Sequence, residues 1–130
     1  MGLRLASRKL ELDAVVSSPA NRAISTAKLI AEQLEFPPED IIEDHEVYHA
    51  SYSSLVDIVR EFPDQLKSVM LVGHNPGFTD LINFLKAPDY HISNVPTCGV
   101  VAIEFALNKW SQVSKHGGRM LFFDYPKKVL

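Results

Sequence analysis

Two short stretches of this chain hold residue types able to move protons, hold a metal or bind an anion. The first is Asp44-His45-Glu46-Val47-Tyr48-His49, which contains the His-Glu-x-x-His spacing of zinc hydrolases. On a helix, ligands four residues apart converge on one ion and the intervening glutamate polarises the bound water. The second is "VMLVGHNPG", residues 69–77, where His74 ends an apolar run and a turn follows. A histidine delivered by a buried strand to the start of a helix stands beside free backbone N–H groups and the positive end of the helix dipole. Anions are favoured there.

The surroundings decide against the metal. The first motif lies between a strand-like "DIIED" and a Ser-rich segment, without a long apolar helical stripe. Tyr52 stands where the extended zinc-protease pattern requires glycine, and no third histidine follows at the required spacing. A zinc hydrolase at His45 and His49 is therefore a remote alternative, the expectation being two surface or loop histidines and no metal. The second stretch has a counterpart in Ser17-Ser18-Pro19-Ala20-Asn21-Arg22, again a polar cluster after a β-branched run. An arginine early in a helix can take two phosphate oxygens with its planar fork. Arg22 and His74 together suggest a phosphate site, against the plainer reading of a hydrogen-bonded histidine and a solvated arginine.

The elements that must position these residues can be read from periodicity. Residues 1–10 carry Leu3, Ala6 and Leu10 at helical spacing. "LDAVVSSP" reads as a short strand, and Ser18 is a natural N-cap ahead of Pro19. Residues 20–34 follow as a helix with Ala23, Ala27, Ile30 and Leu34 on one face, stopped by Pro37-Pro38. Residues 43–51 are ambiguous. Residues 53–62 have Leu55, Ile58, Val59 and Phe62 at helical spacing, and "SVMLVG", 68–73, is apolar throughout, as in a parallel strand buried on both faces. Residues 78–85 form another helical pattern, "CGVVAIEFAL" and "RMLFFDY" two more strands, and Gly117-Gly118 a tight turn. Alternating strands and helices predict an α/β fold, a largely parallel sheet and a site beyond the strands' carboxyl ends.

Composition narrows the function classes. The 130 residues are 46% hydrophobic and 22% charged, enough for one domain with its own core, and no linker or repeat divides them. A net charge of −3 provides no broad positive field, so nucleic acid is not an expected partner. No apolar run approaches the roughly 20 residues of a membrane span. The single Cys98 permits no internal disulfide and suits a reducing compartment, so a cytoplasmic protein is expected. Cys98 and Trp110 read as packing residues.

"AVVSSPANRAISTAKLIAEQL" and "VMLVGHNPGFTDLINFL" closely resemble the second and third signature blocks of the histidine phosphatase superfamily, in its small SixA-type phosphohistidine phosphatase branch. The combination of Ser-Pro-x-x-Arg-Ala-x-x-Thr-Ala, Ser18 to Ala27, with Gly-His-Asn-Pro, Gly73 to Pro76, carries the resemblance. "EVYHAS" (46–51), "PTCGVVAIEF" (96–105) and "FFDYPKK" (122–128) also suit the branch, so it spans essentially the whole chain. It implies a phosphoglycerate-mutase-like fold: three layers, a mostly parallel open sheet and helices on both faces. It implies hydrolysis of phosphohistidine or a related phosphomonoester through a phosphohistidine intermediate, without a cofactor. The partner would be a phosphorylated protein or a small phosphate ester. Arg22 would clamp the phosphate and His74 would stabilise the transferring phosphoryl group. Glu46 would be a candidate acid. Ser18, Asn75 and Thr97 are further candidates for the anion site.

The first signature of that family, a strand ending in Arg-His-Gly or Arg-His-Ala, has no match, because no Arg-His pair occurs in the sequence. His45, His49, His91 and His116 follow Asp, Tyr, Tyr and Lys. The resemblance therefore implies a single N-terminally truncated domain, 1–130, lacking the first central strand, its nucleophilic histidine and a second clamping arginine. A lead-in of roughly 25–35 residues is expected for such a strand–helix unit. Without the nucleophile the chain is expected to be inactive, which leaves a non-catalytic phosphate- or phosphoprotein-binding module as the alternative.

Overall fold

A computed structural model of the chain describes residues 11–96 and 99–125. The helical pattern expected over 1–10, and the positions of Thr97 and Cys98, lie outside the described residues. The chain divides into two compact units. Of the described residues, one holds 11–49 together with Gln65–His74; the other holds Ala50–Asp64, 75–96 and 99–125.

The first unit is an α/β arrangement. Strand β1, Ala14–Ser17, lies between β2, Ile42–Glu43, and β3, Val69–Val72, and all three run parallel. The register sets Ala14 beside Val69 and Ser17 beside both Val72 and Glu43. Asp13 fixes the beginning of the β1–β3 pair, its carboxylate accepting from the backbone N–H groups of Lys67 and Ser68 at 2.7 and 3.1 Å. Helix α1, Asn21–Gln33, covers this sheet with Ala23, Ala27, Ile30 and Ala31 buried. Small residues on that face let the helix axis approach closely. Leu34, expected on the same stripe, instead forms the C-terminal cap, and Glu35 at φ 60° turns the chain away before the prolines arrive.

The apolar run of β3 predicts burial on both faces, yet all four of its residues are only half-buried, whereas every residue of β1 is buried. The reason is position. β1 is the middle strand, while β3 pairs with β1 alone among the described residues. Composition reports that a strand is apolar but not which neighbours cover it.

The second unit begins with helix α2, Tyr52–Arg60, capped by Ser51, whose hydroxyl accepts from Ser54 N–H. Its Leu55, Val56, Ile58 and Val59 are buried, and it packs on helix α3, Gly77–Leu85. Phe62 meets Trp110 edge-on at 5.5 Å, so Trp110 is a packing residue as expected. Strands β4, Val100–Glu104, and β5, Arg119–Asp124, form a separate antiparallel pair with a bulge near Ala102 and Ile103. Here the expectation of a largely parallel sheet does not extend to the last two strands. Their connection contains only a 3₁₀ turn, Trp110–Gln112, and not the crossover helix by which parallel strands are usually joined. Among the described residues no helix is long and apolar enough to cross a membrane.

Candidate functional site

The carboxyl ends of β1 and β3 bring Ser18 and His74 together across 56 residues of sequence. Sheet pairing continues one step past Ser17, with Ser18 N–H donating to the Val72 carbonyl at 2.9 Å. This step corrects the reading of Ser18 as helix cap. Pro19 and an extended Ala20, at ψ 141°, postpone the helix to Asn21, and Ala20 is the cap residue. The buried Ser18 hydroxyl accepts instead from Ala20 N–H at 3.3 Å and shares a 2.8 Å hydrogen bond with His74 Nε2. Ser18 therefore fixes the orientation of the imidazole. His74 Nδ1 has no partner among the described residues.

Arg22 lies in the first turn of α1, exposed, and its guanidinium has no hydrogen-bond or ion-pair partner among the described residues. Among the described residues no side chain caps the N-terminus of α1. Its first N–H groups and the Arg22 fork are thus both unspent in the turn that follows β1.

The loop after β2 completes the arrangement. Asp44 N–H donates to the Ser17 carbonyl at 2.9 Å, carrying the chain along the end of β1. The Asp44 carboxylate then accepts from Glu46 N–H and caps a 3₁₀ turn, His45–Val47. Val47, 1% exposed, pins that turn to the interior. Tyr48 leaves in extended conformation and His49 turns into the left-handed region at φ 52°. His45 and His49 consequently do not occupy successive turns of one α-helix, which is the geometry the His-Glu-x-x-His reading requires. Among the described residues, no group of three or more His, Cys, Asp or Glu side chains is placed to hold one metal ion.

This loop sends aromatic rings toward His74. Tyr48 meets His74 edge-on at 5.6 Å, and the His49 ring centroid lies 6.0 Å from that of His74. Glu46, the expected acid, is exposed, and its carboxylate has no hydrogen-bond or ion-pair partner among the described residues. Neither Tyr48 nor His49 stands out in the sequence as a partner of His74. The available signal is Val47, a lone apolar residue in a polar stretch, which anchors the turn and so directs the two residues after it.

Asn75 is placed differently from expectation. Its Oδ1 accepts from the N–H and hydroxyl of Thr79, at 3.1 and 2.8 Å, and its Nδ2 donates to Asn94 Oδ1 and the Val95 carbonyl. An amide has two donor hydrogens and two acceptor lone pairs, so this side chain is fully committed to holding the start of α3. It has no donor left for a phosphate.

The His74 imidazole is held below its ordinary protonation range, first by desolvation and second by the neighbouring charge of His49. The unfolded chain therefore protonates at this position at higher pH than the folded one. The stability tied to neutral His74 is full above pH 6.5 and is lost as pH falls from there through the folded value. A ¹⁵N-detected titration is expected to put the His74 midpoint below 6.5, and added phosphate should move it upward by favouring the imidazolium. A midpoint at the ordinary value would contradict this environment.

The second unit has one further concavity of about 370 Å³, lined in part by Lys86, Asp89, Tyr90 and Arg119. Lys86 is buried, and its ammonium donates to the carbonyls of Ala87 and Tyr90 and to Asp89, at 3.1 Å from that carboxylate. Its three donors are spent within the protein. Arg119 is likewise paired, with Glu104 at 2.6 Å. The concavity offers a ligand no free cation from these two residues.

A parallel sheet with a serine-anchored histidine at its carboxyl end, and an arginine in the first turn of the helix that follows β1, places these groups where open α/β sheets carry their sites. Residues 2–75 match the histidine phosphatase superfamily (branch 1), and the chain belongs to that family. Solved structures agree in fold. One is the protein histidine phosphatase SixA complexed with tungstate, with a TM-score of 0.75 and 18% identity, covering 94% of this chain and 74% of that one. Another, described as a phosphohistidine phosphatase SixA from Agrobacterium tumefaciens, has a TM-score of 0.74 and 22% identity, covering 96% and 75%. A third, from Nakamurella multipartitia, has a TM-score of 0.69 and 15% identity, covering 98% and 78%. No curated protein sequence matches the chain.

Proposed function

We propose that these 130 residues carry the phosphate-binding portion of a phosphohistidine phosphatase, acting on a phosphorylated protein or a small phosphate ester. The observation that carries the reading is the 2.8 Å bond between Ser18 Oγ and His74 Nε2 at the ends of adjacent parallel strands, with the unpaired Arg22 fork in the same unit. Arg22 takes two phosphoryl oxygens, and His74, held by Ser18, donates to a third as charge develops. SixA in complex with tungstate, a tetrahedral oxyanion, supports an oxyanion site in this fold. The lone Cys98 fits work in the reducing cytoplasm.

Phosphoryl transfer through a phosphohistidine intermediate needs a nucleophilic histidine beside a second clamping arginine, and no Arg-His pair occurs in the sequence. The same 130 residues by themselves therefore act as a phosphate-binding module, the second reading this absence favours. Calorimetric titration with inorganic phosphate tests both. Arg22→Ala is expected to cost about 2 kcal/mol of binding, roughly thirtyfold, as for the loss of a charge-assisted hydrogen-bonded pair. Arg22→Lys keeps the charge without the fork and should recover only part of the affinity. Equal affinity of wild type and Arg22→Ala would remove the basis of the proposal.

A further inference from the structure

We propose that His49 is a second imidazole ligand of the phosphoryl group, sharing one phosphoryl oxygen with His74. The inference rests on the phosphate-site reading above and adds a residue to it. Its first support is distance. An imidazole N–H reaches an oxygen acceptor about 4 Å from the ring centroid, adding roughly 1.2 Å within the ring to a bond of about 2.8 Å. Two such arms meeting at one oxygen span roughly 6 to 6.5 Å at angles between about 97° and the tetrahedral value. The measured separation of the His49 and His74 centroids is 6.0 Å.

The second support is unspent hydrogen-bonding capacity. Among the described residues the His49 ring nitrogens have no hydrogen-bond partner, and His74 uses only Nε2, on Ser18. Both rings thus retain a nitrogen for an outside acceptor. The third is the backbone. Positive φ is uncommon outside glycine, though histidine is among the residues that adopt it more readily, and His49 takes φ 52° immediately after the turn fixed by Asp44 and Val47. Tyr48, 4.1 Å from the His49 ring and 5.6 Å from that of His74, flanks both and limits where His49 can swing. An oxyanion between the rings also relieves their mutual repulsion, which otherwise opposes charging of His74. Glu46 would add negative charge against a phosphate, so the residue of this loop suited to the anion is the histidine.

The test is titration of the full 130-residue chain with inorganic phosphate, run at about pH 5.5 and again at about pH 7.5, on either side of the ordinary imidazole range. Ring ¹⁵N resonances of all histidines are followed by NMR. Expected are shifts of His49 and His74 along one saturation curve. His49→Asn removes the imidazole but keeps a residue tolerant of positive φ, and it should weaken phosphate by about tenfold, one charged hydrogen bond discounted for exposure. His49→Gly, which accepts the same backbone conformation, should show the same loss, while His45→Asn should leave affinity unchanged. If phosphate shifts His74 but not His49, and His49→Asn binds as wild type does, the inference is overturned and the Arg22–His74 site stands. If phosphate binds nowhere in this unit, both readings fall.

Discussion

Phosphohistidine presented to the 130-residue chain is expected to survive, whereas inorganic phosphate is expected to bind. The two results separate because they depend on different groups. Binding, as proposed, would draw on the Arg22 fork, the His74 imidazole hydrogen-bonded to Ser18 and the start of α1. Turnover through a covalent intermediate additionally needs a nucleophilic nitrogen in line with the phosphorus. Removing the nucleophile from an enzyme of the covalent type costs on the order of a millionfold in kcat, and the remainder comes from electrostatics and binding. A phosphorylated small protein incubated with the chain should release phosphate at the background rate. No acid-labile phosphoenzyme should be trapped on quenching. Rapid release by the unmodified chain would instead point to a histidine already present. His49 would be the first to replace, because its ring stands 6.0 Å from that of His74.

The largest stability loss from a single added carbon is expected at Gly77. A Cβ there would sit 2.1 Å from the Ala50 carbonyl oxygen and 3.3 Å from its carbon, well inside contact distance, and those atoms are backbone. Neither the first turn of α3 nor the residue leading into α2 can yield by rotating a side chain. Gly77→Ala should therefore cost about 3 kcal/mol or more, at or above the usual range for overpacking. For a chain of this size that corresponds to a drop in Tm of roughly 10 °C. Gly117→Ala is the comparison, since its Cβ would meet Ser114 Oγ at 3.0 Å, the end of a small side chain able to rotate. Thermal denaturation of the two variants side by side should separate them clearly. Similar melting temperatures would mean that the Ala50–Gly77 contact is more pliant than its distances require.

Much of the frame could be read from residue order. The strand before Ser18, the helix carrying Arg22, the strand delivering His74 and the helix after Pro76 all occur within a residue or two of expectation. Each is a local decision, made by apolar periodicity and by proline, and each survives folding because packing reinforces it. The departures share another cause. Ser18 leaves its expected place as a cap because Val72, far away in sequence, accepts its N–H. The Asn75 amide is held within the protein because Asn94 and Val95 supply acceptors for it. β4 and β5 pair antiparallel because the segment between them contains no crossover helix.

The sequence by itself determined the chemistry available: a Ser-Pro-x-x-Arg cluster, a histidine at the end of an apolar strand, and no Arg-His pair. These follow from residue type and near spacing alone. Only the tertiary structure decided which groups meet. It joined Ser18 to His74, gave the fully buried strand position to β1 rather than β3, and set the His49 ring near the imidazole. The physical reason is that such contacts are fixed by strand register and by how a loop is anchored. In this loop the anchors are the bond from Asp44 N–H to the Ser17 carbonyl and the burial of Val47. Both depend on partners that periodicity along the chain does not encode.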